Sequence, residues 1–364
     1  VTVPTARVLV VDDSVVIRRL ITQALQTEAD IEVVGTASNG KLALAKLQQL
    51  RPDVVTLDIE MPEMDGLATL PLLRATHPRL PVIMFSTLTE RGAAATLEAL
   101  ALGATDYVTK PSNTGSLDIA LAKIRDDLVP KIRALVPHAG PARVAARPVP
   151  TTIPVRQHVL PAAMVQAVVI GVSTGGPSAL AELIPSLPAD LGVPVLVCQH
   201  MPPVFTRLLA ERLDARSALH VQEAADGDQV RAGGVWIAPG GLHMVVRRTP
   251  GGAHVIGTTN EAPENSCRPA VDPLMRSAVA SYGTGVLAVI LTGMGQDGLR
   301  GCEAVVEAGG RVLVQDEASS VVWGMPGYVA KAGLADHTLP LDQLTVEITR
   351  RVAGTTLAAA RSER

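Results

Sequence analysis

The feature that most constrains this chain is an alternation of short apolar runs with longer helical stretches, broken once by a proline-rich segment. Before the break the runs are RVLVVDD, EVVGTAS, DVVTLDI, PVIMFST and DYVTK. Helices are expected from Ser14, from Gly40, near Ala68, near Ala93 and after the last run. Short Val/Ile-rich runs spaced by helix read as parallel strands, because a parallel pair needs a crossover long enough to hold a helix. Five such units in about 125 residues predict a small five-stranded, doubly wound parallel sheet. After the break come QAVVIGVS, PVLVCQH, GVWIAP, HMVVRR, HVIGT, VLAVILTG and RVLVQDE. These predict a second α/β/α domain with a mostly parallel mixed sheet, in which WIAPGGLHMVV supplies a hairpin.

The break itself runs from Pro130 to Pro161, with seven prolines, five Lys/Arg and no acidic residue. Proline removes a backbone donor and disfavours helix in the residue before it, so the segment reads as an extended linker. The expected division is therefore a first domain over 6–125, a Pro/Arg-rich linker over 126–164 and a second domain over 165–355.

Composition excludes several classes. A net charge of −3 leaves no electrostatic footprint for nucleic acid, and two Trp, three Tyr and two Phe offer few stacking platforms. No apolar run approaches the ~18 residues of a membrane span. The opening VTVPTARVLVVDD meets paired acids too early for a secretory signal. Cys198, Cys267 and Cys302 are odd in number and widely spaced, which suits a reduced thiol protein better than a disulfide framework or zinc site. The expectation is a cytoplasmic chain with no nucleic-acid partner and no membrane insertion.

In open α/β sheets ligands gather beyond the carboxyl ends of the strands. In the first domain that rule brings five residues together: Asp12 and Asp13 after the first strand, Asp58 after the third, Thr87 after the fourth and Lys110 after the fifth. Three clustered carboxylates repel one another and call for a hard cation such as Mg²⁺, while a lysine and a hydroxyl suit phosphoryl oxygens. With Lys110-Pro111 and the IEMPEMDG run, residues 6 to about 125 resemble the response-regulator receiver domain. That resemblance implies that Asp58 is the phospho-acceptor and that Asp12 and Asp13 hold Mg²⁺ with it. It further implies that Thr87 and Lys110 sense the phosphate and that a histidine kinase is the donor.

In the second domain, AVVIGVSTGGPSAL reads as strand, tight turn and helix. Gly171 to Gly175 match G-x-S-x-G, the turn that exposes a nucleophilic Ser173. His200 follows the strand VPVLVCQH, and imidazole is the usual base for activating a serine. The stretch ILTGMGQDGLRG has two readings. Gly293, Gly295 and Gly298 spell the G-x-G-x-x-G of a dinucleotide cradle, with Asp316 near the ribose-binding offset. Alternatively Asp297 is the orienting acid of a Ser–His–Asp set. A carboxylate ~4 Å from a bound pyrophosphate charge would repel it by about 4 kcal/mol at an effective dielectric of 20, which favours the second reading. The glycines then let the turn bend and leave the Met294 N–H free to hold an oxyanion.

The runs IGVSTGGPSAL, QHMPPVFTRLLAERL, IAPGGLHM, RPAVDPLM, ILTGMGQDG and WGMPG resemble the catalytic domain of the chemotaxis protein-glutamate methylesterases over residues 165 to about 350. The resemblance implies a Ser173–His200–Asp297 triad with the Met294 backbone in the oxyanion hole and no cofactor in this domain. The implied reaction is hydrolysis of glutamate methyl esters, and deamidation of specific glutamines, on methyl-accepting chemotaxis receptors. A chemotaxis-type histidine kinase would regulate it through Asp58, the unphosphorylated receiver covering the serine's cleft. One departure stands out: the family's R-P-S-V-D run carries Ala270 here. Other readings are an α/β-hydrolase using Ser173, Asp297 and His337, cysteine catalysis by Cys198, and a receiver-linked transcription regulator.

Overall fold

The computed structural model describes residues 5–111, 116–136 and 164–362, so the proline-rich stretch 137–163 lies outside the described residues. The chain separates into two units, Val1–Pro150 and Thr151–Arg364.

The first unit alternates β1 (Ala6–Val11), α1 (Val15–Gln26), β2 (Ile31–Ala37), α2 (Gly40–Leu50), β3 (Val54–Asp58), α3 (Gly66–Thr76), β4 (Val82–Ser86), α4 (Glu90–Ala101), β5 (Asp106–Thr109) and α5 (Leu117–Leu135). The strands form one parallel sheet in the order β2-β1-β3-β4-β5. β3 and β4 are buried along their whole length, as strands covered by helices on both faces must be. Side chains of Ser14, Asn39, Asp65 and Thr89 accept the first free N–H groups of α1 to α4, which fixes where each helix starts.

The linker expected from residue 126 begins later than its composition indicated, because α5 continues through Leu135. Ile124, Leu128 and Ile132 recur every four residues on the buried face and join the core with Ile21 and Leu25. Lys131 Nζ lies 2.7 Å from Asp106 Oδ2, and Arg133 pairs with Asp30 and Glu28, so the last turns are tied down. Pro130 removes one helical bond, but its would-be acceptor residue Asp126 is exposed and water can serve that carbonyl. Ile132→Ala is accordingly expected to lower the stability of this unit by about 2–4 kcal/mol. Denaturant unfolding of the full chain reads this out; a change below about 0.5 kcal/mol would return the segment to the linker.

The second unit contains β6 (Ala167–Val172), α6 (Gly176–Leu183), β7 (Val195–Gln199), α7 (Phe205–Asp214), β8 (His220–Glu223), β9 (Gly234–Ile237), β10 (His243–Arg248), β11 (His254–Thr259), α8 (Val271–Tyr282), β12 (Val286–Ile290), α9 (Leu299–Glu307), β13 (Arg311–Gln315), α10 (Met325–Lys331), β14 (His337–Leu339) and α11 (Leu341–Ser362). Seven strands pair in the order β14-β13-β12-β6-β7-β9-β8, and every described pairing among them is parallel. β6, β7 and β12 lie side by side and are buried throughout. Their carboxyl ends define one rim.

The hairpin expected at WIAPGGLHMVV does not form. β9 pairs in parallel with β7 and β8, while β10 pairs antiparallel with β11 in a separate two-stranded sheet. Val235, Trp236 and Ile237 are buried and belong inside the sheet. The following Gly240 packs directly on the Pro202–Pro203 backbone, which carries the chain away from β9. The real hairpin turns at Thr249–Ala253 and docks on α8 through Val246 and Ser277. Two short polar edge strands, β8 and β14, carry too little apolar pattern to be read in advance. His337, expected in a segment without a strand, starts β14.

Candidate active site and candidate phosphorylation site

In the first unit the sheet order reverses at β1 and β3, and the acidic residues stand at that switch point. Lys110 Nζ lies 2.9 Å from Asp12 Oδ2 and 2.8 Å from Asp58 Oδ2. One oxygen from each of Asp12, Asp13 and Asp58 falls within 4.8 Å of the others. Burial, then the charge of Asp12, raises Asp58 to about 6 against the opposing pull of Lys110. Thr87 Oγ1 is 3.0 Å from Thr89 Oγ1 on the exposed side of a cavity of about 220 Å³ that Asp13, Asp58 and Lys110 also line. Gly92 is required beside it, since a Cβ there would sit 2.3 Å from Thr87 Oγ1. All five residues picked from strand ends thus meet around one cavity or its acidic floor.

In the second unit Ser173 directly follows β6 and His200 directly follows β7. The register pairs Val172 with Gln199, so the two residues occupy the next rung of adjacent strands. The Ser173 backbone is held by its N–H to Thr292 O (3.0 Å), and its carbonyl accepts from Gly176 N (2.8 Å) and Gln199 Nε2 (3.0 Å). Asp297 lies in the turn between β12 and α9. Its Oδ2 is 2.7 Å from His200 Nε2.

That contact selects the ring nitrogen. With Nε2 committed to Asp297, only Nδ1 remains for the serine, the reverse of the trypsin arrangement. Nδ1 faces Cys267 Sγ at 3.6 Å, and among the described residues no hydrogen bond joins it to the Ser173 hydroxyl. Such bonds are often long before substrate arrives. Burial pulls His200 down, but its hydrogen bonds to Asp297 and Cys267 outweigh this and push it up to about 9. Burial likewise opposes the Asp297 charge, yet His200 and the Val271 and Asp272 N–H groups hold the carboxyl below its usual range.

The glycines of GMGQDG now have local explanations. A Cβ on Gly293 would come 2.9 Å from Ser173 Cβ and 2.4 Å from Met325 Sδ, so the loop can approach the serine only without one. Gly298 has φ +91° and opens α9. The N–H groups there are already used: Gly298 N donates to Asp272 and Asp297, and Gly301 N to Asp272. A pyrophosphate would find this helix start occupied by two carboxylates, which removes the dinucleotide reading. Asp316, the supposed ribose ligand, accepts from Ser319 N and Oγ within its own turn. Among the described residues the Met294 N–H has no protein acceptor, as an oxyanion donor requires.

Ala270 has a simple consequence. It precedes α8 without a side-chain cap, and the first N–H groups of α8 instead donate to Asp297, at 2.6 Å from Val271 and 3.1 Å from Asp272. The helix start loses nothing that Asp297 does not supply. The rival residues stand elsewhere. His337 begins edge strand β14 and faces Glu347 at 3.8 Å. Cys198 is fully buried within β7, and burial keeps its thiol protonated far above its usual range. Three residues at the centre went unread in the sequence: Asn265, Cys267 and Asp272. Asp272 falls in RPAVDPLM, but nothing in its local pattern marks it as touching Asp297.

Residues 168–348 match the family "CheB methylesterase", and residues 8–122 match "Response regulator receiver domain". A protein from Nocardioides sp. named protein-glutamate methylesterase/protein-glutamine glutaminase is 54% identical over 361 residues, covering 96% of each chain. One of the same name from Trichodesmium erythraeum is 51% identical, covering 96% of this chain and 99% of the relative. Among solved structures, the Thermotoga maritima CheB methylesterase catalytic domain matches with a TM-score of 0.50 and 42% identity, over 52% of this chain and 99% of that one.

Proposed function

The chain belongs to the protein-glutamate methylesterase/protein-glutamine glutaminase family, and from that premise we propose that it hydrolyses glutamate methyl esters on chemoreceptors under control of its receiver domain. The same chemistry deamidates specific glutamines. The observation carrying this reading is the 2.7 Å His200–Asp297 contact, which leaves Nδ1 for a serine one rung away on the neighbouring strand.

In the proposed reaction the Ser173 hydroxyl attacks the γ-carbonyl of a methylated glutamate while His200 Nδ1 takes its proton. Asp297 holds the tautomer with the other proton on Nε2 and stabilises the imidazolium. The Met294 N–H faces the developing oxyanion. Methanol leaves with the proton that His200 returns, and a water deprotonated by His200 releases glutamate from the acyl-enzyme.

In the receiver, Asp58 is the proposed phosphoryl acceptor from a histidine kinase of the chemotaxis type. The all-oxygen set of Asp12, Asp13 and Asp58 fits Mg²⁺, which when bound would neutralise phosphoryl charge. Lys110 already bridges Asp12 and Asp58, so a phosphoryl group on Asp58 would draw it away from that pairing. Among the described residues no helix is long and apolar enough to cross a membrane.

The test is methanol release from receptor fragments methylated on glutamate. Because His200 must be neutral to accept a proton, and the site favours its protonated form up to about 9, kcat/KM should climb about tenfold per pH unit and level near that value. Absence of methanol release would overturn the substrate assignment. A profile flat from about pH 6 to 9 would show that the site does not hold His200 protonated up to about 9.

A further inference from the structure

Asp297 has a second buried acid beside it. Asp272, at the first turn of α8, is 1% exposed and its Oδ1 accepts from Gly298 N at 2.9 Å and Gly301 N at 2.7 Å. The two carboxylates share the Gly298 donor, since Asp297 Oδ1 also lies 3.0 Å from that nitrogen. Adjacent buried like charges repel, and a hydrogen-bond donor between them is the means of holding both in place. One side chain does this. Asn265 Nδ2 is 2.9 Å from Asp297 Oδ1 and 2.9 Å from Asp272 Oδ2, one amide hydrogen for each acid.

The backbone around Asn265 serves that reach. Asn265 has φ +51° and Ser266 φ +63°, and reciprocal backbone bonds between Glu264 and Cys267 (3.1 and 2.9 Å) close the turn. Asparagine tolerates the left-handed region better than most residues. The residue itself is solvent-exposed, although its amide touches two acids that are almost fully buried. An exposed residue with no apolar contact to contribute is poorly explained by core packing.

Resting on the triad reading above, we propose that Asn265 is a positioning residue: its amide bridges Asp272 to Asp297 and turns Asp297 so that Oδ2 stays on His200 Nε2. Of the five contacts that the described residues make with the Asp297 carboxylate, Oδ1 takes Asn265 Nδ2, Asp272 N and Gly298 N, while Oδ2 takes Val271 N and His200 Nε2. Among the described residues Asn265 is the only side chain anchoring the oxygen away from the histidine. Loss of that anchor leaves the carboxylate with one donor fewer, so its charge bears more fully on the imidazolium, while the Asp297–His200 pair, no longer fixed from the far side, loses its orientation toward the serine. The other charged or titratable groups around it are His200, with Cys267 on its far nitrogen, Asp272, and the Glu264–Arg276 pair at 2.6 and 2.8 Å.

Asn265→Gly is the clean variant, because glycine adopts positive φ without strain and deletes only the amide. In the full chain, with methylated receptor fragments as substrate, kcat should fall about 10- to 100-fold with KM within about twofold. The ascending pH limb should move upward. Asn265→Asp, which faces two acids with a third, should lose more and move the limb further in the same direction. Wild-type kcat and limb in Asn265→Gly would overturn the proposal, as would a loss confined to KM or one accompanied by an unmoved limb. Ser173→Ala, assayed alongside, separates the two levels. If it keeps activity, the triad reading itself fails; if it is inactive while Asn265→Gly behaves as wild type, only the role of Asn265 fails.

Discussion

Replacing Ser173 with alanine is expected to reduce methyl-ester turnover by about 10⁴- to 10⁶-fold, the range seen when the nucleophile of a serine triad is removed. The change deletes one oxygen. The contacts that shape the turn are made by backbone atoms, Ser173 N to Thr292 O and Ser173 O from Gly176 N and Gln199 Nε2, and all survive the substitution. Thermal unfolding should therefore stay within a degree or two of wild type, by the small effect expected of a half-buried polar truncation. Residual rate would come from the oxyanion donor and from bound water. Undiminished methanol release by the alanine variant would remove Ser173 as nucleophile. It would direct attention to Cys267, whose sulfur already lies 3.6 Å from the same imidazole nitrogen.

The second large effect concerns control. Asp58→Asn should abolish any stimulation of esterase turnover by a small-molecule phosphodonor while leaving unstimulated turnover unchanged. An amide cannot form the acyl phosphate, and no other described carboxylate sits both at the end of β3 and against Lys110 and Asp12. Stimulation that persists in the variant would move the phosphorylation site elsewhere. The same variant carries a stability signature. Burial and the Asp12 charge hold Asp58 at about 6, above its ordinary 3.8, so the folded state favours its protonated form. Above pH 6 that preference works against folding, and below about pH 4 it vanishes because both states are protonated. The asparagine receiver should thus be more stable at pH 7 by roughly 1–3 kcal/mol, with the gain shrinking as pH falls through 6 towards 4. Equal unfolding midpoints at pH 7 would argue that Lys110 neutralises Asp58 completely.

How much of this was legible beforehand depends on range along the chain. Asp12, Asp58, Thr87 and Lys110 could be gathered from strand ends because apolar periodicity marks each strand and parallel topology points every strand end to one rim. The placement of Ser173, His200 and Asp297 along one rim was readable for the same reason, helped by the strand–turn–helix chemistry of the neighbouring glycines. The linker boundary was misjudged because prolines outweighed a four-residue apolar period that continues to Ile132. The hairpin was misplaced because a Pro-Gly-Gly turn is as compatible with a chain leaving the sheet as with one doubling back. Which it does depends on Pro202 and Pro203, some forty residues earlier, packing against Gly240.

What the sequence by itself determined was the two α/β units, the strands buried on both faces and the residue types at their ends. Those follow from local period and turn chemistry. Only the tertiary structure decided which imidazole nitrogen meets Asp297, that Cys267 stands at the other, and that an exposed asparagine ties Asp297 to a second buried carboxylate. His200 and Asp297 are 97 residues apart, and Asn265 and Asp297 are 32. Contacts across such separations arise from how helices and loops pack on the sheet, and no local pattern encodes them.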